Sequence, residues 1–241
     1  MKSLFYVIGC WLCASTAALA EQPPSGEHQP GAERIQNAVQ HIFDANEQFV
    51  SQKNSDYFKP FTESQKPLAT VVSCSDSRVH MHALDVSPDN DLFVIRNIGN
   101  QLVTSEGSVE YGVHHLHTPL LLIVGHSTCG AVTAALGDYS KESKAIQKEL
   151  KTIKIIKGSE ITKSVIRNVN NQVEDALKKF APDIKAGSLA VMGVVYDFRN
   201  DLKFGQGKLT IVNLNGKTDP DEIRRSDILL KAKNITVYQQ K

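Results

Sequence analysis

Short runs of apolar, β-branched residues alternate along this chain with longer segments in which apolar residues recur at helical spacing. Such runs, bounded by turn residues, are typical of strands that are buried on both faces of a sheet. Strands that alternate with helices favour a mainly parallel sheet covered by helices. We therefore predict an α/β fold with four parallel strands and a fifth, antiparallel strand at the edge of the sheet. The predicted strands span residues 68–73, 92–95, 120–124, 189–195 and 208–213.

An additional helical pattern stands before the first strand, over residues 32–52. Its apolar residues lie on one face, and this stripe requires another surface on which to be buried. The stripe consists of Ile35, Val39, Ile42, Phe43, Phe49 and Val50. The remaining helices are predicted at 105–116, 128–136, 144–156 and 161–180.

The first 20 residues resemble a secretory signal peptide. Lys2 gives a positive start, an apolar stretch covers residues 4–12, and the small residues at 18–20 form a cleavage signal before Glu21. The apolar stretch is too short to span a bilayer, so we predict an exported, periplasmic protein, with secretion as the alternative. Cys10 follows a sequence that resembles a lipoprotein cleavage box, but it comes too early to follow a full apolar region.

Behind the leader, the composition indicates one globular domain with a sizeable core. Residues 21–31 are rich in proline and indicate a flexible linker. The domain is predicted over 32–216, and residues 217–241 form a C-terminal extension that matches no pattern. The formal net charge is only +1 and no basic block occurs, so nothing in the composition indicates a nucleic-acid or anionic-membrane partner.

Two short motifs carry the most specific chemistry. Cys-Ser-Asp-Ser-Arg at 74–78 follows the first predicted strand, and His-Ser-Thr-Cys at 126–129 follows the third. Ligands of open α/β sheets bind beyond the carboxyl ends of the strands, where two such loops can meet. Two thiolates and one imidazole form a typical zinc ligand set. The sequence therefore predicts a zinc site made by Cys74, His126 and Cys129.

The residues around the cysteines decide between a zinc site and a disulfide. Once the leader is removed, Cys74 and Cys129 are the cysteines that remain, and a structural disulfide between them is the alternative. A disulfide leaves Asp76 and Arg78 without a role. In a zinc site, Asp76 can supply a fourth ligand, and Arg78 can withdraw that carboxylate from the metal. Cys129 also begins a predicted helix, whose dipole favours the thiolate.

Three further motifs complete an ordered series of five. Arg-Asn-Ile-Gly-Asn at 96–100 and Gly-Ser-Val-Glu-Tyr at 107–111 lie between the two metal motifs, and Gly-Val-Val-Tyr-Asp follows at 193–197. The second metal motif is part of Gly-His-Ser-Thr-Cys-Gly-Ala at 125–131. Together these motifs resemble those of the β-class carbonic anhydrases, and the resemblance covers residues 32–216.

This resemblance implies a zinc enzyme that reversibly hydrates carbon dioxide to bicarbonate and a proton, by attack of zinc-bound hydroxide, with one zinc ion per chain. Asp76 and Arg78 match the dyad that opens the fourth zinc position to water. The resemblance also implies a homodimer, or a multiple of dimers, with the helix at 32–52 as the arm that crosses to the partner. Val71 replaces the tryptophan of an allosteric subgroup, so that regulation is not expected. The matches to the family's substrate pocket are Gln65, Phe93, Ile98 and Tyr111.

Other functions are consistent with the same residues. Hydrolysis of carbon disulfide or carbonyl sulfide would use the same scaffold and metal. A zinc-storage or structural zinc protein would keep Asp76 on the metal permanently, which leaves Arg78 without a role. A cysteine phosphatase with Cys74 as nucleophile fits poorly, because Arg78 follows too closely for a phosphate-binding loop. Several histidines indicate either a second metal cluster, a proton relay or a partly exposed face: His80, His82, His114, His115 and His117.

Overall fold

The computed structural model of this chain describes residues 31–239. The predicted signal peptide at 1–20, and all of the predicted linker except Gly31, lie outside the described residues. The helix predicted before the first strand is confirmed as α1 (Gly31–Ser51). Every residue of α1 is exposed, including the predicted apolar stripe. A short helix, α2 (Ser55–Phe58), follows it.

The chain after α2 is built on one six-stranded sheet. Its strands are β1 (Ala69–Cys74), β2 (Leu92–Asn97), β3 (Leu120–His126), β4 (Ala190–Asp197), β5 (Lys208–Leu214) and β6 (Thr236–Val237). They lie in the order β2-β1-β3-β4-β5-β6. The first four strands are parallel, β5 is antiparallel to β4, and β6 is parallel to β5. The predicted α/β fold with a mainly parallel sheet is confirmed.

The predicted position of the fifth strand at the edge of the sheet is wrong. β6 pairs with β5 from the C-terminal extension, and the Tyr238 N–H donates to the Ile211 carbonyl at 2.9 Å. β6 is only two residues long, which is too short to show the alternation that marks a strand. The extension therefore completes the sheet.

Helices lie between the strands as the alternation predicts. The predicted helix at 105–116 is α3, continued by one π-helical turn over Tyr111–His115. The helix predicted at 144–156 ends earlier, at Leu150. The prediction was too long because Ile153, which lies in an irregular segment, packs with Leu150 and so imitates helical spacing. The helices are α3 (Glu106–Glu110), α4 (Gly130–Leu136), α5 (Lys144–Leu150), α6 (Ile161–Lys179), α7 (Ala181–Ala186) and α8 (Pro220–Arg224). Short 3-10 turns cover Lys59–Phe61, Met81–Ala83, Val103–Ser105 and Asp227–Leu229.

The long helix α6 packs closely on the centre of the sheet. Glu160 caps its start by accepting from the Thr162 and Lys163 amides. A Cβ added at Gly125 of β3 would lie 2.5 Å from Val169 Cγ2, and one added at Gly193 of β4 would lie 2.7 Å from Val169 Cγ1. Only glycine fits at these two positions. This close contact fixes the end of β3, where its last residue, His126, lies. None of the helices described over residues 31–239 is long and apolar enough to cross a membrane.

Candidate metal centre

The predicted ligands meet where two neighbouring strands end. Cys74 is the last residue of β1, His126 is the last residue of β3, and Cys129 directly precedes α4. Their ligating atoms all lie within 4.8 Å of one another, and all three side chains are buried. The two Sγ atoms are 3.9 Å apart and both cysteines are free, about twice the S–S bond length of ~2.05 Å. The structure thus has the predicted ligand cluster rather than the alternative disulfide.

The turn between the two ligands of the second motif is unusual. Thr128 has φ +48°, in the left-handed region that β-branched residues rarely adopt. This conformation turns the chain sharply between His126 and Cys129, so both can face Cys74. Backbone strain of this kind often accompanies functional sites.

The chemistry of the three donors fits zinc. The Nδ1 atom of His126 is 3.0 Å from the Ser127 carbonyl oxygen, which can only accept, so Nδ1 carries the hydrogen. The other ring nitrogen, Nε2, therefore has a free lone pair, and this buried atom has no hydrogen-bond partner among residues 31–239. A buried, unpartnered acceptor beside two buried cysteine sulfurs is the donor set that tetrahedral zinc sites use.

The pKa values of the two cysteine thiols are shifted in opposite directions. A hydrogen bond with Cys129 lowers the pKa of Cys74, and contacts with His126 and the Gly99 amide assist against the effect of burial. The hydrogen bond with Cys74 raises the pKa of Cys129, and burial adds to the effect. The Gly99 N–H donates to Cys74 Sγ at 3.5 Å. The lowered pKa favours the thiolate at Cys74, and metal binding requires both cysteines to lose their protons.

Asp76 and Arg78 form a bidentate pair beside these ligands. Arg78 Nε donates to Asp76 Oδ1 at 2.9 Å, and Arg78 Nη2 donates to Asp76 Oδ2 at 2.7 Å. The Arg78 hydrogen bonds hold the pKa of Asp76 well below its usual range. Asp76 Oδ2 is also 3.9 Å from His126 Nε2. The carboxylate therefore lies between the guanidinium and the atom that would bind the metal.

Arg96 fixes the loop that carries this pair. Its Nε donates to the Cys74 carbonyl at 3.1 Å, and its Nη2 donates to the Asp76 and Val79 carbonyls at 2.8 Å each. Arg96 belongs to one of the sequence motifs, but the sequence alone assigned it no role. A cation next to the end of a buried strand, opposite a loop of functional residues, is the signal that could have identified it.

Asp197 fixes the loop that carries His126. The Ser127 hydroxyl donates to Asp197 Oδ1 at 2.7 Å, and the Leu202 and Asp201 amides donate to the same carboxylate at 2.7 and 3.0 Å. Asp197 was likewise a motif residue to which the sequence assigned no role. A carboxylate at the end of an apolar strand was the available signal, because such a group requires several donors.

The residues expected to line a substrate pocket are only partly gathered. Phe93 is half-buried, with its ring centroid 5.8 Å from that of Tyr111, which is exposed. Ile98 is half-buried in the turn next to Gly99, whose amide contacts Cys74. Gln65 is exposed in the segment before β1.

The histidines outside the cluster have separate contacts. His80 and His82 lie with ring centroids 6.4 Å apart, His114 Nε2 is 3.2 Å from the Asp183 carboxylate, and the ring centroids of His115 and Tyr111 are 4.4 Å apart. Within residues 31–239 they do not form a group of three metal-ligating side chains. The second metal cluster that the histidine spacing suggested is therefore absent from this part of the chain.

The fold and the site define a class: an α/β protein with a buried Cys₂His metal centre at the carboxyl ends of parallel strands. Comparison with known proteins identifies the family. The model of the carbonic anhydrase family matches residues 69–203, more than half of the chain. The chain therefore belongs to the carbonic anhydrase family.

Individual relatives agree with this assignment. Carbonic anhydrase 2 of Mycobacterium tuberculosis is 29% identical over 175 residues, which cover 64% of this chain and 84% of the relative. A tetrameric β-carbonic anhydrase of Sordaria macrospora has the same fold, with a TM-score of 0.63 at 24% identity over 73% of this chain and 98% of that one. A Coccomyxa β-carbonic anhydrase, solved in complex with acetazolamide, gives a TM-score of 0.60 at 25% identity over 78% and 92% of the two chains.

The family assignment gives the activity and the cofactor. β-Carbonic anhydrases use zinc, and their reaction is the reversible hydration of carbon dioxide to bicarbonate and a proton. This chain has the buried ligands for one zinc ion. It is a carbonic anhydrase enzyme of the β class.

Proposed function

We propose that Cys74, His126 and Cys129 hold the zinc ion and that Asp76 and Arg78 control access to its fourth position. The observation that carries this proposal is the position of the Asp76 carboxylate, which is bound to Arg78 and yet 3.9 Å from His126 Nε2. When bound, zinc acts as a Lewis acid that lowers the pKa of water and so supplies hydroxide at neutral pH.

Asp76 has two roles in this scheme. While Arg78 holds the carboxylate, its remaining lone pairs would accept a hydrogen bond from the hydroxide that zinc supplies and so orient that nucleophile. If the arginine released it, the carboxylate would be free to bind the metal itself and exclude water. The Arg78 hydrogen bonds lower the pKa of Asp76, so the carboxylate stays an acceptor while the arginine holds it.

The substrate needs little binding machinery, because carbon dioxide is small, apolar and uncharged. We propose that Phe93, Ile98 and Tyr111 form the dry wall against which it rests. Gln65 would donate a hydrogen bond to an oxygen of the developing bicarbonate. The half-burial of Phe93 and Ile98, and the position of Ile98 next to Gly99, support these assignments.

Stopped-flow measurement of carbon dioxide hydration on the purified, zinc-loaded protein tests the activity. We expect turnover that is proportional to zinc content. The same preparation should be assayed with carbonyl sulfide and carbon disulfide. Hydrolysis of either substrate without hydration of carbon dioxide would favour the alternative enzyme, and bound zinc with no turnover would favour a storage or structural role.

We also propose that the enzyme is a homodimer or a multiple of dimers, with α1 packed on a second copy. Its apolar side chains Ile35, Ile42 and Phe43 are each about two-thirds exposed, at 64–66%. An apolar stripe of this length is typical of a helix that binds another surface. The similar Sordaria enzyme is tetrameric. Ile42→Asp together with Phe43→Asp should yield monomers in light scattering, and an active wild-type monomer at micromolar concentration would contradict the proposal.

The predicted leader supports a proposal of export to the periplasm, with cleavage after Ala20. Zinc binding would protect Cys74 and Cys129 from oxidation in that compartment. Amino-terminal sequencing of the protein recovered from a periplasmic extract should begin at Glu21. Recovery of the full-length chain from the cytoplasm would contradict export.

A further inference from the structure

The turn that follows β4 brings one aromatic ring to the edge of the metal centre. In the pairing of β3 with β4, His126 lies opposite Tyr196, two residues before Phe198. Phe198 lies in the turn just beyond Asp197, the last residue of β4, and its ring is 5.7 Å from that of Tyr196. The Phe198 ring is stacked beside His126, with centroids 6.0 Å apart and an interplanar angle of 27°.

The same ring contacts the guanidinium of Arg78. Arg78 and Asp76 together are the proposed gate, which controls access to the fourth zinc position. Arg78 Cζ lies 5.0 Å from the centroid of Phe198, within the range of an attractive cation–π contact. In the described part of the chain, the other partners of this guanidinium are the Asp76 carboxylate and, at 3.5 Å, the Thr128 carbonyl oxygen. Phe198 is half-buried and so presents a fixed surface to Arg78.

Arg78 needs such a surface because its side chain is 52% exposed. An exposed arginine has many rotamers of similar energy, and confining it to one has an entropic cost. The arginine fork holds a carboxylate well only in one plane. A ring that restricts the guanidinium to that plane would therefore strengthen its hold on Asp76.

We propose that Phe198 is a positioning residue for the gate: its ring holds Arg78 in the orientation that keeps the Asp76 carboxylate off the metal. This inference rests on the proposed roles of Asp76 and Arg78. It adds Phe198 as the residue that sets how much of the time Arg78 holds the carboxylate and how much of the time the carboxylate blocks the metal. The ring acts through its π face, since an aliphatic side chain of similar size fills the space but does not attract a cation.

The variants separate the π face from apolar bulk. Phe198→Leu and Phe198→Met keep an apolar side chain without a ring, whereas Phe198→Tyr keeps the ring. Phe204→Leu is the matched control, because Phe204 is a partly exposed phenylalanine in the turn before β5 and has no part in the site. Metal content and melting temperature identify variants in which the fold itself is damaged, and Phe198→Met replaces Phe198→Leu should that variant fail to fold.

The readout is the binding of azide to the cobalt-substituted enzyme at fixed pH, followed by the visible absorption of cobalt. Azide requires the position that Asp76 would occupy in the blocked site, so a weaker gate lowers its affinity. We expect the azide Kd to rise roughly threefold to tenfold in Phe198→Leu, the size of one partly exposed cation–π contact. Phe198→Tyr and Phe204→Leu should bind azide like the wild type.

A double-mutant cycle with Arg78→Ala completes the test. Phe198→Leu should have no further effect on azide binding once Arg78 is absent. An equal effect in the Arg78→Ala background would show that the ring acts through His126, and would overturn the inference while leaving the gate intact. A normal azide Kd in Phe198→Leu, with a raised one in Arg78→Ala, would also overturn the inference alone. Normal azide binding in Arg78→Ala would overturn the gate itself.

Discussion

The three proposed metal ligands and the Asp76–Arg78 pair lie side by side, but the protein holds them in different ways. Cys74, His126 and Cys129 are buried at 4% exposure or less. The side chains of Asp76 and Arg78 are 16% and 52% exposed. Buried ligands with fixed positions suit retention of a metal, whereas a carboxylate that must exchange one partner for another needs room. Metal retention and control of access are therefore separable properties of this site.

The residues that hold the two regions in place also differ, and again the ligand region is the more buried. The loop of His126 is held by the buried carboxylate of Asp197, through several donors. The guanidinium of Arg78 is held by the carboxylate of Asp76, which we propose it controls, and by the face of Phe198. Changes in the ligand region should affect zinc content first, and changes in the gate should affect turnover with zinc still bound.

The largest effect is expected for Cys129→Ser. Serine keeps the size of the side chain but removes a thiolate ligand from a site that has three protein donors. Zinc per chain should fall from one to nearly zero, and carbon dioxide hydration should be lost with it. Elemental analysis and the hydration assay check this on the same sample. Full activity without zinc, or a Cys74–Cys129 disulfide in the active enzyme, would contradict the assignment of the ligand region.

Arg78→Ala should lower turnover by more than about a hundredfold, on the scale of a lost proton-transfer group, while zinc content stays at one per chain. Without its arginine partner, Asp76 is free to bind the metal, so zinc affinity should hold or rise. Asp76→Asn should also lose activity, but with an open metal position, because an uncharged amide is a weak metal ligand and has a donor NH2 group in place of one acceptor oxygen.

The matched control for Arg78→Ala is Arg224→Ala. Arg224 forms a single, longer ion pair with Asp221, at 3.2 Å, on the surface of α8, and its loss should leave turnover unchanged. Cobalt spectra of the two site variants distinguish a blocked position from an open one. Near-normal turnover in Arg78→Ala would remove the distinction between the two regions.

The pH–rate profile should rise by roughly tenfold between about pH 7 and 9, because two thiolate ligands make zinc a weaker Lewis acid than three imidazoles do. The basic form is the active one, so activity falls as pH drops through the midpoint. Zinc content should stay constant over this range, which separates loss of turnover from loss of metal. A profile that is already at its maximum below pH 7 would contradict this prediction.

The sequence was most informative where one residue type has one chemical use. The two cysteines and His126 could be assigned because thiolates and imidazole at the ends of neighbouring strands have few other roles. The parallel sheet followed from the alternation of strands and helices. The two-residue strand β6 could not be predicted, because its pairing depends on β5 and not on its own pattern.

Positions that act through their surroundings were not recognised in advance. Phe198 is one more apolar residue in the sequence, and its role depends on which rings and cations the strand pairing places beside it. Arg96 and Asp197 could be assigned only after their partners across the sheet were known. In this protein the proposed ligands could be predicted from local spacing, whereas their supports required the tertiary structure.

The smallest effect on turnover, but a clear one on stability, is expected for Asp197→Asn. Burial alone would raise the pKa of Asp197, but hydrogen bonds from Ser127 and from the Leu202, Asp201 and Arg199 amides outweigh it and lower the pKa. A carboxyl group with a lowered folded pKa stabilises the fold above its unfolded pKa of about 3.9 and loses that contribution as pH falls through the folded pKa.

The free energy of unfolding of the metal-free Asp197→Asn variant should therefore be lower than that of the wild type by about 2 kcal/mol at pH 7, and the difference should shrink below about pH 4. Zinc affinity should fall by roughly tenfold to a hundredfold, because a neutral amide with one acceptor oxygen anchors Ser127 and the loop of His126 less firmly than the carboxylate does. Denaturant unfolding at the two pH values and competition with a chelator measure these quantities.

Asp201→Asn is the matched control, since that carboxylate makes only a 3.4 Å ion pair with Arg199. The contradicting outcome is an Asp197→Asn variant that lowers turnover and leaves zinc affinity unchanged. Asp197 would then act on the Asp76–Arg78 gate as well as on the ligands, and the two regions would not be separable.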